Sequence, residues 1–268
     1  LGNKHLKLDS PEWERMLTEW LKRIDARLAE LGVDRKHWAF YPIDEPAHGV
    51  KAENFSRIGA LAKRVMPEVL VYADTTTCER EVLETWKGLV DIWCPNNRQL
   101  DKAPEIIPWY RAERAAGRQV WSYVCSGPAK MLSPYSYYRM QAWLALDRGQ
   151  TGIGHWAYAD VGWGATGNAW DDLDASGADY SVVYRGEHAP VSSRRWEQIS
   201  EGVEDYWLVH SLRQACADAP PKRRQAAKDA LALCEQAIRD VVDHRDDTTR
   251  IAAHRDLLIQ AYEKVIAE

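Results

Sequence analysis

The sequence predicts an α/β fold of the TIM-barrel type, a (β/α)8-like barrel of which this chain supplies only the C-terminal five βα units, followed by a C-terminal helical extension. Three observations predict it. Short apolar runs alternate with segments of helical periodicity, polar and acidic residues stand at the ends of those runs, and the chain from Ser193 onward is helical throughout.

Ser10 and Pro11 read as the N-cap and first position of a helix, and Trp13, Leu17, Trp20, Ile24, Leu28 and Leu31 recur at helical spacing up to Gly32. His37 to Ile43 is a strand-like run ending in Asp44-Glu45-Pro46, and a helix from about Lys51 to Met66 is stopped by Pro67. Strands at Val69 to Ala73, Val90 to Cys94, Gln119 to Val124 and Gly152 to Tyr158 follow. Between them lie helices near Glu79 to Lys87, Pro104 to Ala116 and Pro134 to Arg148. Ala159 to Asp179, rich in Gly, Trp and Asp and without periodicity, predicts a functional loop, and Ser181 to Tyr184 a short extended piece. The last helices run from Trp196 to about Ala217, Lys222 to about Asp243 and Thr248 to Ala267.

A complete eight-stranded barrel takes about 250 residues. Here the C-terminal helices consume the chain after residue 193, so the first three βα units are expected to be missing. The division expected is a partial catalytic barrel over 1–192 and helices packing on it over 193–268. Open parallel edges are a liability, so the rest of a longer parent chain is expected to supply the missing strands. A start at Leu1 without a signal-peptide pattern points the same way.

A net charge of -5 and no block of basic residues exclude a nucleic-acid partner, and no apolar run is long enough to span a membrane. Five Cys without C-x-x-C spacing indicate neither a zinc site nor a disulfide framework. His48, His155 and His188 show no ligand spacing, so no metal is expected, and the lack of a Gly-rich phosphate loop argues against any nucleotide cofactor. Aromatic usage is more pointed: 13 Trp and 12 Tyr stand against 2 Phe. Rings with an apolar face and a polar edge suit the C–H faces and hydroxyl rims of sugars, although any one Trp can equally fill core volume.

Barrel chemistry comes from the carboxyl ends of strands. That rule selects Tyr41, Asp44 and Glu45 after the first strand, Asp74 after the second, Asn96 and Asn97 after the third, and Tyr123 and Cys125 at the end of the fourth. His155, Trp156, Tyr158 and Asp160 lie on or after the fifth. Adjacent residues of a regular strand face opposite ways, so Asp44 and Glu45 can share one ligand only where the strand ends, a break that Pro46 and Gly49 supply. Two carboxyls held together cannot both ionise easily, so one of them would keep its proton to higher pH and serve as a general acid. The plainer alternative is that Asp44 caps the next helix and Glu45 is solvated. Cys125 reads as a structural strand-end cysteine rather than a nucleophile.

Two segments resemble a known family. Tyr41-Pro42-Ile43-Asp44-Glu45-Pro46 resembles the catalytic strand end of glycoside hydrolase family 123, the β-N-acetylgalactosaminidase family. Tyr184-Arg185-Gly186, the stretch Pro190 to Glu197, and Glu201-Gly202-Val203-Glu204-Asp205-Tyr206 resemble the C-terminal signature of the related domain of unknown function 4091. The resemblance implies a retaining, substrate-assisted N-acetylhexosaminidase without a cofactor, in which the substrate's own acetamido oxygen is the nucleophile. By position, Glu45 would be acid and base, and Asp44 would orient the acetamido N–H. Tyr41, Asp74, Trp93, Asn96, Tyr123, Trp156, Tyr158 and Trp163 would line the sugar pocket. A glycan or glycoconjugate substrate and a secreted or periplasmic parent are further implications.

The family's N-terminal β-sandwich and first three strands are not visible in this chain. A substrate without the acetamido group would require a second carboxylate about 5 Å from the first as nucleophile. Asp74, Asp160, Asp171, Asp172 and Asp179 are the candidates. Other readings are a non-catalytic carbohydrate-binding barrel and a chain inactive without its missing strands.

Overall fold

The protein is described by a computed structural model over residues 7–8, 10–160, 170 and 180–267. It forms two compact units, Leu1–Tyr123 and Val124–Glu268.

In the first unit the parallel strands β1 (Ala39–Phe40), β2 (Leu70–Ala73), β3 (Ile92–Trp93) and β4 (Gln119–Cys125) pair in chain order, and the unit boundary falls within β4. Helix α1 (Pro11–Glu30) precedes β1, and helices α2 (Gly49–Val65), α3 (Arg80–Trp86), α4 (Asn97–Lys102) and α5 (Ile107–Ala115) lie between the strands. Ser10 caps α1 by accepting the Trp13 N–H at 3.2 Å, and Gly32 leaves it with φ 74°, a conformation that costs glycine nothing. The expected strand from His37 is shorter than its apolar run. Asp34 captures the Lys36 N–H and turns Arg35–His37 into a 3-10 coil, while Pro42 has no N–H to extend the ladder. Asn96 caps α4 by accepting the Arg98 N–H at 2.9 Å, forming a short helix that no apolar periodicity announced.

Register explains which way the strands face. Tyr72 pairs with Ile92 and Ala73 with Trp93, while Ile92 pairs with Gln119 and Trp93 with Val120. Ala73, Trp93 and Val120 therefore share one side, and with Val71 they pack into a core with Phe55, Leu83, Trp86, Trp109 and Tyr110 from the helices. The opposite parity carries Tyr72, Asp74, Trp121 and Tyr123.

The second unit holds β5 (Gly152–Trp156), a hairpin of β6 (Tyr184–Arg185) and β7 (Pro190–Val191), and helices α6 (Met140–Arg148), α7 (Arg194–Ala217), α8 (Arg224–Asp243) and α9 (Arg250–Ile266). A π-helical turn at Pro134–Arg139 opens the expected helix before β5. The helices after residue 193 share one core with α6, built from Met140, Trp143, Val209, Leu212, Cys234, Ile238, Ile251 and Leu258. They thus fall in the same compact unit as β5. No helix among the described residues is long and apolar enough to cross a membrane.

The C-terminal signature acts as bracing for this unit. Ser193 caps α7, and Arg195 donates to the carbonyls of Ala129 (2.6 Å) and Lys130 (2.8 Å). Tyr206 donates to Gln150 O at 3.0 Å. Gly202 lies where a Cβ would stand 2.8 Å from Arg139 O and 3.3 Å from Ala142 Cβ. Ordinarily Gly→Ala inside a helix gains about 1 kcal/mol. Here Gly202→Ala is expected to destabilise by about 1–3 kcal/mol, because a backbone carbonyl must move, and urea denaturation will read that reversed sign.

Candidate active site

The carboxyl ends of β1 to β4 bring Tyr41, Asp44, Glu45, Asp74, Asn96 and Tyr123 into one hydrogen-bonded group within the first unit. The Tyr41 hydroxyl contacts Asp44 Oδ1 at 2.7 Å and also Asp74 Oδ2. The Glu45 N–H donates to Asp74 Oδ1 at 3.1 Å, and the Tyr123 hydroxyl donates to Glu45 Oε1. Asn96 forms a bridge with Tyr123 in the backbone and hydrogen-bonds its phenol.

Glu45 has φ 47°, the one non-glycine residue at positive φ among the described residues. A side chain in that region costs of order 1–3 kcal/mol, and the bond from its N–H to buried Asp74 helps hold it there. This turn is what lets two neighbouring carboxylates engage one group of strand-end residues. It also sets aside the capping alternative. The N-cap of α2 is His48, which makes no side-chain cap, and Asp44 instead takes the Tyr41 hydroxyl and offers its carbonyl to Lys51 Nζ at 3.0 Å.

Burial dominates the electrostatics. It pushes the Asp74 carboxyl up to about 6, against the hydrogen bonds that favour its charged form, and neighbouring Asp44 adds to the rise. Desolvation and the adjacent carboxylates likewise keep the Tyr41 and Tyr123 phenols protonated well above the usual tyrosine range. The carboxyl found to hold its proton to higher pH is thus Asp74, outside the Asp44-Glu45 dipeptide.

Because the folded state binds that proton more tightly than the unfolded chain, Asp74 contributes stability fully present below about pH 4 and lost as pH rises through about 6. Asparagine mimics the protonated form. The melting temperature of Asp74→Asn relative to the native protein is therefore expected to rise between pH 4 and 7, and a pH-independent difference would refute the assignment.

Trp93 does not join the group. It is 0% exposed and packs edge-on against Trp109 (5.1 Å) and Tyr110 (6.1 Å), because its register with Ala73 and Val120 turns it toward the helices. Strand parity could have excluded it: Trp93 is one residue out of phase with Cys94 and three with Asn96. Trp156 and Tyr158 lie in the second unit and are both exposed, with Trp156 Nε1 donating to Asp160 Oδ2 at 2.8 Å and Tyr158 edge-on to Trp196. Trp163, with Asp171, Asp172 and Asp179, lies outside the described residues. Tyr72 and Trp121 lie inside their strands, away from the ends that the barrel rule selects. Tyr72 packs on Tyr41 at 5.3 Å and on Trp121 at 6.0 Å, forming an aromatic floor whose signal was the two-residue period leading to Asp74 and Tyr123. Among the described residues no three His, Cys, Asp or Glu side chains gather as a metal-ligand group.

The first unit is thus an α/β domain whose parallel strands carry carboxylates and tyrosines at their carboxyl ends. The model of the glycoside hydrolase 123 catalytic domain matches residues 3–212, and the chain belongs to that family. A family 123 glycoside hydrolase from Clostridium perfringens, studied for glycolipid glycan hydrolysis, shares the fold with a TM-score of 0.60 at 14% identity. The match covers 96% of this chain and 44% of that one, so this chain spans less than half the length of the solved enzyme. No curated protein matches the sequence.

Proposed function

We propose that this chain carries the acid end of a retaining, substrate-assisted β-N-acetylhexosaminidase site. The observation that carries the reading is the turn at Glu45, which sets Asp44 on Tyr41 and Glu45 on Tyr123 around a shared Asp74. Family membership supports the reaction class.

In this reading the acetamido carbonyl oxygen attacks the anomeric carbon as the glycosidic C–O bond breaks, and Glu45 gives its proton to the leaving oxygen. Asp44 accepts the acetamido N–H and balances the positive charge of the oxazolinium intermediate. Water then attacks the anomeric carbon, and the Glu45 carboxylate takes its proton. The Tyr123 hydroxyl fixes the Glu45 rotamer, and Tyr41 does the same for Asp44.

A two-carboxylate mechanism has less support. Asp74 is 8% exposed and both its oxygens are engaged, and Asp160 accepts from Trp156 within the second unit.

The test is hydrolysis of alkyl N-acetylgalactosaminide and N-acetylglucosaminide by the full-length protein and its Glu45→Gln variant. Turnover confined to acetamido sugars and dependent on Glu45 is expected. Activity only on sugars without the acetamido group would remove substrate assistance while keeping the hydrolase class, and glycan binding without turnover would favour a carbohydrate-binding module.

A further inference from the structure

Tyr41 presents a problem of proton counting. A phenol has one proton to donate, so it can give a full hydrogen bond to only one ionised carboxylate at a time. Yet its oxygen lies at hydrogen-bonding distance from both Asp44 Oδ1, at 2.7 Å, and Asp74 Oδ2. If both carboxyls were ionised, one would face the phenol oxygen lone pair to lone pair, inside a site where desolvation magnifies the repulsion. A second proton in the cluster would remove that repulsion.

We propose that Asp74 is a neutral carboxylic acid that donates from Oδ2 to the Tyr41 oxygen, so that Tyr41 donates its own proton to Asp44 and positions that carboxylate for its ligand. The inference rests on the reading of Asp44 and Glu45 as the site's working pair.

Three features place the proton on Asp74 rather than Asp44. Asp74 is buried whereas Asp44 is exposed, and the neutral form suits the drier position. Asp74 Oδ1 already accepts the Glu45 N–H at 3.1 Å, which leaves Oδ2, the oxygen facing Tyr41, as the protonated one. Among the described residues, the titratable groups that face Asp74 are Tyr41, Asp44, Glu45, Tyr72, Cys94 and Tyr123, none of them a cation that would compel its ionisation. Burial and the neighbouring Asp44 carboxylate both favour the neutral form of Asp74.

The consequence is a fixed division of labour among three crowded carboxyls. Below its midpoint Asp74 is neutral and holds the Glu45 backbone through its carbonyl oxygen and Tyr41 through its hydroxyl. Asp44 receives a donor on Oδ1 and keeps Oδ2 for the substrate. Asp74 is thus a positioning residue that acts on Asp44 through Tyr41 and on Glu45 through the backbone.

The direction of the Asp74–Tyr41 bond can be read from the sign of a shift. In the full-length protein without substrate, the ¹³Cγ resonance of Asp74, assigned by its loss in Asp74→Asn, is followed against pH in the native protein and in Tyr41→Phe. If Asp74 donates, removing the phenol oxygen withdraws an acceptor from the neutral form, and the midpoint falls from about 6. A midpoint that rises in Tyr41→Phe shows Asp74 accepting as a carboxylate and overturns the proposal, as does a native midpoint near 4.

Activity provides the second arm. Asp74→Asn retains a donor for Tyr41 and an acceptor for Glu45, so it is expected to lose less than 10-fold in kcat/KM where Asp74→Ala loses about 100-fold. Equal losses in the two variants would overturn the positioning role. The titration needs no substrate, so a protein in which Glu45→Gln leaves turnover unchanged would refute the role given to Glu45 while the proton on Asp74 stood or fell separately.

Discussion

Replacing Glu45 with glutamine is expected to lower kcat on an alkyl or glycan leaving group by about 100- to 10,000-fold, the contribution of a positioned general acid. The side-chain oxygen that accepts the Tyr123 hydroxyl survives in glutamine, and so does the backbone N–H held by Asp74. The variant should therefore fold with unchanged stability and bind substrate with KM little altered, placing the loss in the chemical step. The loss should shrink when the leaving group is a nitrophenol, which departs without protonation. A Glu45→Gln protein equally impaired on activated and unactivated substrates would show that Glu45 serves the structure of the turn rather than proton transfer.

The legibility of this site in the sequence followed from one geometric rule, that residues at the carboxyl ends of parallel strands converge. Tyr41, Asp44, Glu45, Asp74, Asn96 and Tyr123 were found by counting from strand ends, even though β1 and β3 are shorter than their apolar runs. Strand ends can be located within about three residues because prolines such as Pro42 and Pro95 stand just past them. Trp93 failed for a reason of parity. Being near the end of a strand says nothing about which face a residue takes, and a one-residue change in phase sent this indole into the helix-side core.

The assignment of the raised carboxyl was also beyond the sequence. Adjacent acids suggested that one of Asp44 and Glu45 would keep its proton, but desolvation depends on burial, and the buried carboxyl came from the next strand, 29 residues beyond Glu45. Helix α4 was missed because its start depends on one side-chain cap, Asn96, and not on an apolar stripe. The C-terminal signature was recognised as a pattern, yet its purpose became clear only from its partners, which lie 60 or so residues away in sequence.

Asp205 is the residue of that signature on which the second unit should depend most. It is 1% exposed on α7 and accepts a forked pair of bonds from Arg139 Nε (2.8 Å) and Nη2 (3.0 Å), one from Arg255 Nη1 (2.8 Å) on α9, and one from the Trp143 indole (3.0 Å) on α6. One carboxylate thus ties three helices and the π-helical turn together. Asp205→Ala would leave two guanidinium groups and an indole N–H short of an acceptor inside the unit, and removing one partner of a buried ion pair costs about 3–5 kcal/mol. For a protein of this size that corresponds to a fall in melting temperature of roughly 6–20 °C. Asp205→Asn keeps one acceptor oxygen but removes the charge, so it should cost less, about 1.5–3 kcal/mol. Glu201, 3.4 Å from Arg139 and 3.6 Å from Arg255, can take up part of the lost charge, which makes the double change Glu201→Gln with Asp205→Asn more than additive. Calorimetry of the two single variants and the double variant will decide it: simple additivity would show that Glu201 takes up none of the charge lost at Asp205.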